Sequence, residues 1–326
     1  MATDLSSSSS GDGNSWETAP YKADFIETPS SRMFLIAQGS QRQPCKPIII
    51  LESGANAAST WWSPVARLLA LDRARVLMYD GAGLGRSEAS ATPRTAENMA
   101  AELLSLLDSA HIAPPYLVVA HSYGGLIARE FLACCPAGAI SGMVLVDTNT
   151  EKTLAETRMP MDAATAILKG MNYMQVTGMS TQNSFTTEDL AQNELDESSP
   201  YASATCEAEQ ALFAASAAAL ARKEQLATHG LGSAPLTVIR GDTPRDIARI
   251  VACAFERQLG TPEQRAELDE FAHRLERIDR ALQMEQVALS TNARFVQALS
   301  SGHHVQVTEP ELVAQEILRI LGNTSR

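Results

Sequence analysis

The run Ala120-His121-Ser122-Tyr123-Gly124-Gly125 sets a serine between small residues two positions before it and two after it. A strained turn from strand to helix needs that spacing, because the neighbouring backbones pass too close for larger side chains. A serine hydroxyl is a weak nucleophile until a base takes its proton. The best-placed candidate lies near the C-terminus, in Ser301-Gly302-His303-His304-Val305-Gln306. Together the two motifs can attack a carbonyl carbon, with an imidazole collecting and returning the hydroxyl proton.

The flanking sequence supplies elements to position these groups. Apolar runs at 23–27, 32–37, 48–51, 74–79, 116–120, 143–146 and 294–298 read as strands, the isoleucine run at 48–51 as one buried on both faces. Between them lie helical patterns. One is capped by Thr60 and carries Trp61, Val65, Leu68 and Leu69, and a second spans 95–110 with Met99, Leu103, Leu106 and Leu107 on one face. A third runs from the serine turn to Cys135 and stops before Pro136, and a fourth begins at Pro310. Strands alternating with helices predict an α/β architecture with a mostly parallel sheet covered on both faces.

Composition narrows the function classes. With 326 residues, 45% apolar and 20% charged, the chain can bury a sizeable core. A net charge of −12 repels phosphate backbones and anionic lipid surfaces, so neither nucleic acid nor a membrane is an expected partner. No stretch reaches transmembrane length. The glycines of Asp80-Gly81-Ala82-Gly83-Leu84-Gly85-Arg86-Ser87 fit neither GxGxxG nor GxxxxGK[ST], and read as turn residues rather than a phosphate cradle. Cys45, Cys134, Cys135, Cys206 and Cys253 form no CxxC pair and no metal-spaced cluster. An odd cysteine count and a serine-rich start with no basic or apolar core predict a reducing, cytoplasmic setting. No metal and no organic cofactor is expected.

Four segments together resemble the α/β-hydrolase superfamily, from about residue 21 to the end apart from an insertion. They are the strand and turn at 48–56, the loop at 79–87, the elbow at 120–125, and 302–313, which is similar to the family's GHxxQxxxPexV ending. The resemblance implies an α/β-hydrolase fold, with Ser122 as nucleophile forming an acyl-serine and His303, directly after Gly302, as base. His304 is then a wall residue. It also implies an oxyanion hole from the backbone N–H groups of Ala55 and Tyr123. Ser53-Gly54 stands where relatives often have His-Gly, a departure that alters the wall more than a hole made of backbone.

The third member of the triad stays open between aspartates. The family's usual acid position is Pro244 here, leaving Asp147, Asp242 and Asp246. Asp147 ends the strand at 143–146, a position some relatives use, and is the preferred acid. Asp242 is the alternative. The competing structural roles are a cap for Asp147 and a turn residue for Asp242.

The expected organisation is a serine-rich disordered tail over 1–20, a first core part over 21–148, a helical lid over 149–233 and a second core part over 234–326. The lid segment contains Met159, Met161, Met171, Met174 and Met179, which either line an apolar pocket or fill the gap between lid and core. It continues through a polar stretch at 181–199, read as a mobile surface loop, to an alanine-rich helix at 207–228. A second insertion, 246–290, reads as two helices joined near Gly260-Thr261-Pro262, with Arg274, Glu276, Arg277, Asp279 and Arg280 on a solvated face. The expected activity is hydrolysis of an ester, lactone or thioester of a small, hydrophobic acyl substrate. Its rivals are an acyltransferase or carbon–carbon bond hydrolase on the same fold, and a non-catalytic binding protein.

Overall fold

The computed structural model describes residues 14–72 and 74–323. Eight strands, β1 (Tyr21–Glu27), β2 (Arg32–Gly39), β3 (Ile48–Glu52), β4 (Arg75–Tyr79), β5 (Tyr116–His121), β6 (Ile140–Val146), β7 (Leu236–Arg240) and β8 (Ala293–Gln297), form one sheet in the order β1-β2-β4-β3-β5-β6-β7-β8. The β1–β2 and β2–β4 pairings are antiparallel and the rest parallel. The α/β-hydrolase architecture expected from the sequence is present.

Both faces of the parallel part are covered, which is why its strands read as apolar runs without alternation. On one face Ile48, Ile50, Val118, Ala120 and Leu145 pack with Leu103, Leu106, Leu107, Leu126 and Phe131, from the helices Ala96–Ser109 and Gly124–Cys134. On the other, Ile49, Leu51, Leu117, Val119 and Val144 pack with Val65, Leu69, Val313 and Ile317, from the helices Ser63–Leu71 and Pro310–Asn323. The chain leaves β3 for β4 on one side and reaches β5 on the other. Such a reversal opens a crevice at the carboxyl ends of the two strands, where 53–56 and Ser122 lie.

Several local expectations are corrected by tertiary contacts. Residues 14–20, assigned to the tail, fold onto the core: Trp16 is buried, its carbonyl accepts from the Arg75 guanidinium, and Glu17 pairs with Arg42. The serine-rich run itself lies outside the described residues. Thr60 caps no helix; it sits in the 3-10 turn Ser59–Trp62 and donates its hydroxyl to Asp196 Oδ2 at 2.6 Å. The polar stretch at 181–199 contains the helix Thr187–Glu197, closed at its start by a Thr186/Asp189 capping box and tied to the core through Arg67–Asp189 at 2.6 Å. The alanine-rich helix runs Ala202–Ala221, earlier than expected.

The two helices of the second insertion are Thr243–Glu256 and Pro262–Glu285. Glu276, Arg277 and Arg280 are exposed, as the charge pattern predicts. Asp279 is not. It is buried against Arg240 of β7, with an N–O distance of 2.6 Å.

Candidate active site

Ser122 follows β5 and precedes the helix Gly124–Cys134, with φ 53°. A left-handed backbone at a residue with a Cβ costs about 1–2 kcal/mol, so the surroundings must impose it. They do so through close packing. A Cβ on Gly124 would lie 2.4 Å from the Ser53 carbonyl oxygen, and one on Gly125 would lie 2.4 Å from Thr148 Cβ. The Ser122 N–H donates to Val146 O at 3.3 Å, and its carbonyl accepts from Asn149 N–H at 2.9 Å. The serine turn is thereby tied to the end of β6.

The residue at that end, Asp147, also has a left-handed backbone, with φ 45°. Its N–H donates to Ile239 O at 2.7 Å. Its buried carboxylate accepts from His303 Nδ1 at 2.7 Å, from Gly241 N–H at 2.9 Å, and from the Thr243 hydroxyl. The other two candidate acids go elsewhere. Asp242 caps the helix Thr243–Glu256 by accepting from Arg245 N–H at 3.2 Å, and its own N–H donates to Ser301 O. Asp246 accepts the His303 backbone N–H at 2.9 Å. A Cβ on Gly302 would fall 1.8 Å from Asp246 Oδ2, so the glycine lets that carboxylate reach the loop.

Three histidine rings meet here. Burial disfavours the charged form of His303, yet the hydrogen bond to Asp147 and the negative charges of Asp147, Asp246 and Asp279 outweigh it and hold the imidazole above its ordinary value. His121 and His304 are pushed well below theirs, by burial first and then by the positive charge His303 takes up. His121 is therefore neutral, and its Nε2–H donates to the His303 carbonyl at 3.0 Å while its ring lies 4.6 Å from the His303 ring. His304 packs at 4.7 Å on Trp61 and 5.7 Å on Tyr173. Ser122 Oγ makes no hydrogen bond to the His303 ring in this arrangement; contacts of this kind are often long before substrate is bound.

The turn after β3 presses on the serine, since a Cβ on Gly54 would stand 3.0 Å from Ser122 Cβ. Ala55 follows in that turn and is exposed. Its N–H and that of Tyr123 have no acceptor among the described residues. The Tyr123 side chain is buried, with its hydroxyl donating to Ser216 Oγ at 3.1 Å and its ring edge-to-face with Phe213, both on the helix Ala202–Ala221.

The structure brings Ser122, His303 and Asp147 to one edge of the sheet and sends Asp242 to a helix cap. Sequence reasoning missed Gly241 and Thr243, which hold Asp147, and His121, which holds the His303 loop; Asp246, weighed as an acid, holds that loop instead. Among the described residues there is no group of three or more His, Cys, Asp or Glu side chains arranged to hold a metal ion, and no helix is long and apolar enough to cross a membrane.

A family model described as "Alpha/beta hydrolase family" matches residues 49–316. An "AB hydrolase superfamily protein" of Gibberella zeae is 38% identical over 324 residues, covering 94% of this chain and 98% of that one. The solved structure of Cfl2 from Burkholderia cenocepacia superposes with a TM-score of 0.62 at 17% identity, covering 93% of this chain and 96% of that one. The enol-lactonase from Burkholderia xenovorans LB400 superposes at 0.56 and 21% identity, covering 92% and 100%. At such identities the two structures speak to the fold alone.

Proposed function

The chain belongs to the alpha/beta hydrolase family, and on that premise we propose that it is a serine hydrolase acting on an ester, lactone or thioester through an acyl-serine. Ser122 Oγ attacks the carbonyl carbon as His303 Nε2 takes its proton. The negative charge on the tetrahedral oxygen is met by the Ala55 and Tyr123 N–H groups. His303 then protonates the leaving alcohol or thiol; it next draws a proton from a water that attacks the acyl-serine, and gives that proton to Ser122 Oγ as the acid departs. Asp147 accepts from Nδ1, keeps the proton there, and so leaves Nε2 free to act as base.

One observation carries this reading: the 2.7 Å bond from His303 Nδ1 to Asp147, beside a serine held at φ 53° between strand and helix. A hydrophobic acyl substrate is supported by the aromatic rings that the 149–233 segment sets against the core. Phe213 packs on Tyr123, Tyr173 on His304 and Phe185 on Trp61.

The test is labelling by a fluorophosphonate, with the modified peptide mapped and Ser122→Ala run in parallel, followed by a panel of esters, lactones and thioesters of increasing acyl length. Labelling at Ser122 that disappears in the variant is the expected result. Folded protein that neither labels nor turns over any of the panel would refute the proposal.

A further inference from the structure

Glutamate is among the side chains least often fully buried without a partner, yet Glu209, on the helix Ala202–Ala221, is only 2% exposed. Its Oε2 accepts the backbone N–H of Asn56 at 2.9 Å, across 153 positions of sequence, and its Oε1 is buried with no partner. Asn56 directly follows Ala55. The turn is otherwise lightly held, by a 3.3 Å bond from Ala57 N–H to Gly54 O and a 3.2 Å bond from Ser53 Oγ to Ala58 O. It also needs φ 54° at Asn56, a conformation that asparagine tolerates at the third position of a turn. Behind it lies a cavity of about 20 Å3, lined by Ser53, Gly54, Glu52 and Arg94 together with apolar side chains such as Met99 and Ile127. That is room for about one water.

We propose that Glu209 is a positioning residue for the oxyanion turn: by holding the Asn56 N–H it fixes the peptide that follows Ala55, and with it the direction of the Ala55 N–H. This rests on the acyl-serine reading above, which assigns that N–H its role. At 2.9 Å the Asn56 N–H bond is shorter than either bond within the turn, and what it requires of residue 209 is an acceptor oxygen at that reach. Fixing that peptide sets ψ of Ala55 and φ of Asn56, leaving the peptide before Ala55 little freedom to rotate. The oxyanion donor of the core is then aligned only while the segment carrying Glu209 is docked. Burial pushes the Glu209 carboxyl above its ordinary value, with the Asn56 bond and the Arg94 charge pulling the other way and Glu102 adding to the rise.

The experiment compares Glu209→Ala, Glu209→Asp and Glu209→Gln for hydrolysis of p-nitrophenyl butyrate, with thermal unfolding and fluorophosphonate labelling of Ser122 measured on each. Alanine removes the acceptor, aspartate withdraws it by one methylene, and glutamine keeps an acceptor oxygen at the same reach. Losing one oxyanion donor outright typically costs 100- to 1000-fold in kcat, so a donor left in place but loosened is expected to cost about tenfold. Glu209→Ala and Glu209→Asp are expected to lower kcat by that factor and slow labelling to match, with KM within about twofold, while Glu209→Gln stays near the parent. Should the alanine variant fail to fold, aspartate against glutamine makes the same comparison. Parent protein that neither labels nor turns over would remove the acyl-serine reading. An active parent whose variants keep full kcat, or change only in KM or melting temperature, would overturn the inference by itself.

Discussion

Replacing Asp147 by asparagine separates the proposed acid from its neighbours with a change of one atom. In the parent, three donors converge on its carboxylate: Gly241 N–H, the Thr243 hydroxyl and His303 Nδ1. The asparagine carbonyl can keep the Gly241 bond, at 2.9 Å. Its amide NH2 then faces Thr243 and His303, and the imidazole accepts at Nδ1 and carries its proton on Nε2. That tautomer cannot take the Ser122 proton, and in enzymes with such a triad the swap costs about 10^4 in kcat. Allowing for a looser site, the expected loss is about 10^3 to 10^4, or roughly 4 to 5.5 kcal/mol of transition-state stabilisation. Stability falls less, by about 1–3 kcal/mol for the lost charge-assisted bonds, and melting temperature by roughly 2–10 °C. The pH profile gives a second readout. The base must be neutral to act, so kcat/KM rises with pH through the His303 value, which stands above the ordinary 6.5 in the parent. Without Asp147 the largest remaining influence is burial, and the limb moves to lower pH. Ester hydrolysis by Asp147→Asn, Asp242→Asn and the parent over pH 5–9 checks both. Asparagine caps helices as well as aspartate does, so Asp242→Asn is expected to keep kcat within about twofold. An Asp147→Asn protein that retains more than a tenth of kcat with its limb unmoved would refute the assignment.

Two further outcomes follow from buried carboxyls. Glu52 is pushed by burial from 4.5 up to about 8, against the opposing hydrogen bond from Tyr79. An acid with a raised folded value contributes stability that is full below its unfolded pKa of 4.5 and is lost as pH rises through about 8. The parent is therefore expected to lose melting temperature between pH 5 and 9, and Glu52→Gln to flatten that slope; unfolding scans with parallel slopes would contradict it. Gly302→Ala drives a Cβ to 1.8 Å from Asp246 Oδ2, breaks the His303 N–H contact and displaces the base. A loss of at least tenfold in kcat is expected, with most of the thermal stability kept, and ester hydrolysis beside a melting curve checks it.

Ser122 and His303, the proposed nucleophile and base, could be singled out because their signals are local. Small residues flank Ser122 at fixed positions between an apolar strand and a helix, and Gly302-His303 sits before a proline-started helix. The choice among Asp147, Asp242 and Asp246 depends on where three loops converge, which no window of sequence contains. Part of it could still have been read: Asp242-Thr243-Pro244 has the form of a helix cap followed by a first-turn proline, and that is the role Asp242 takes. The Thr186-x-x-Asp189 spacing likewise signals a helix start inside a stretch whose polar composition suggested a loop. Trp16, Glu209 and Asp279 gave no such signal. Each meets a partner 59, 153 or 39 positions away, namely Arg75, Asn56 and Arg240, that no local pattern points to.

The site divides into a stiff half and an adjustable half. Ser122 and Asp147 both hold left-handed backbones at adjacent strand ends, and the bonds Ser122 N–H to Val146 O and Asn149 N–H to Ser122 O cross between them. Strain of this kind persists only where the surroundings over-determine it, and here both residues emerge from strands buried on both faces. His303 and Ala55 lack such support. The first lies on a loop steadied by His121 and Asp246, the second on a turn steadied by Glu209. A change in the sheet core therefore moves Ser122 and Asp147 together, whereas the 149–233 segment meets the site at the turn carrying Ala55 through Glu209, at Tyr123 through Phe213 and Ser216, and at His304 through Tyr173. On the proposed mechanism, a change in that segment alters the alignment of the oxyanion donors while the spacing of Ser122 and Asp147 is conserved.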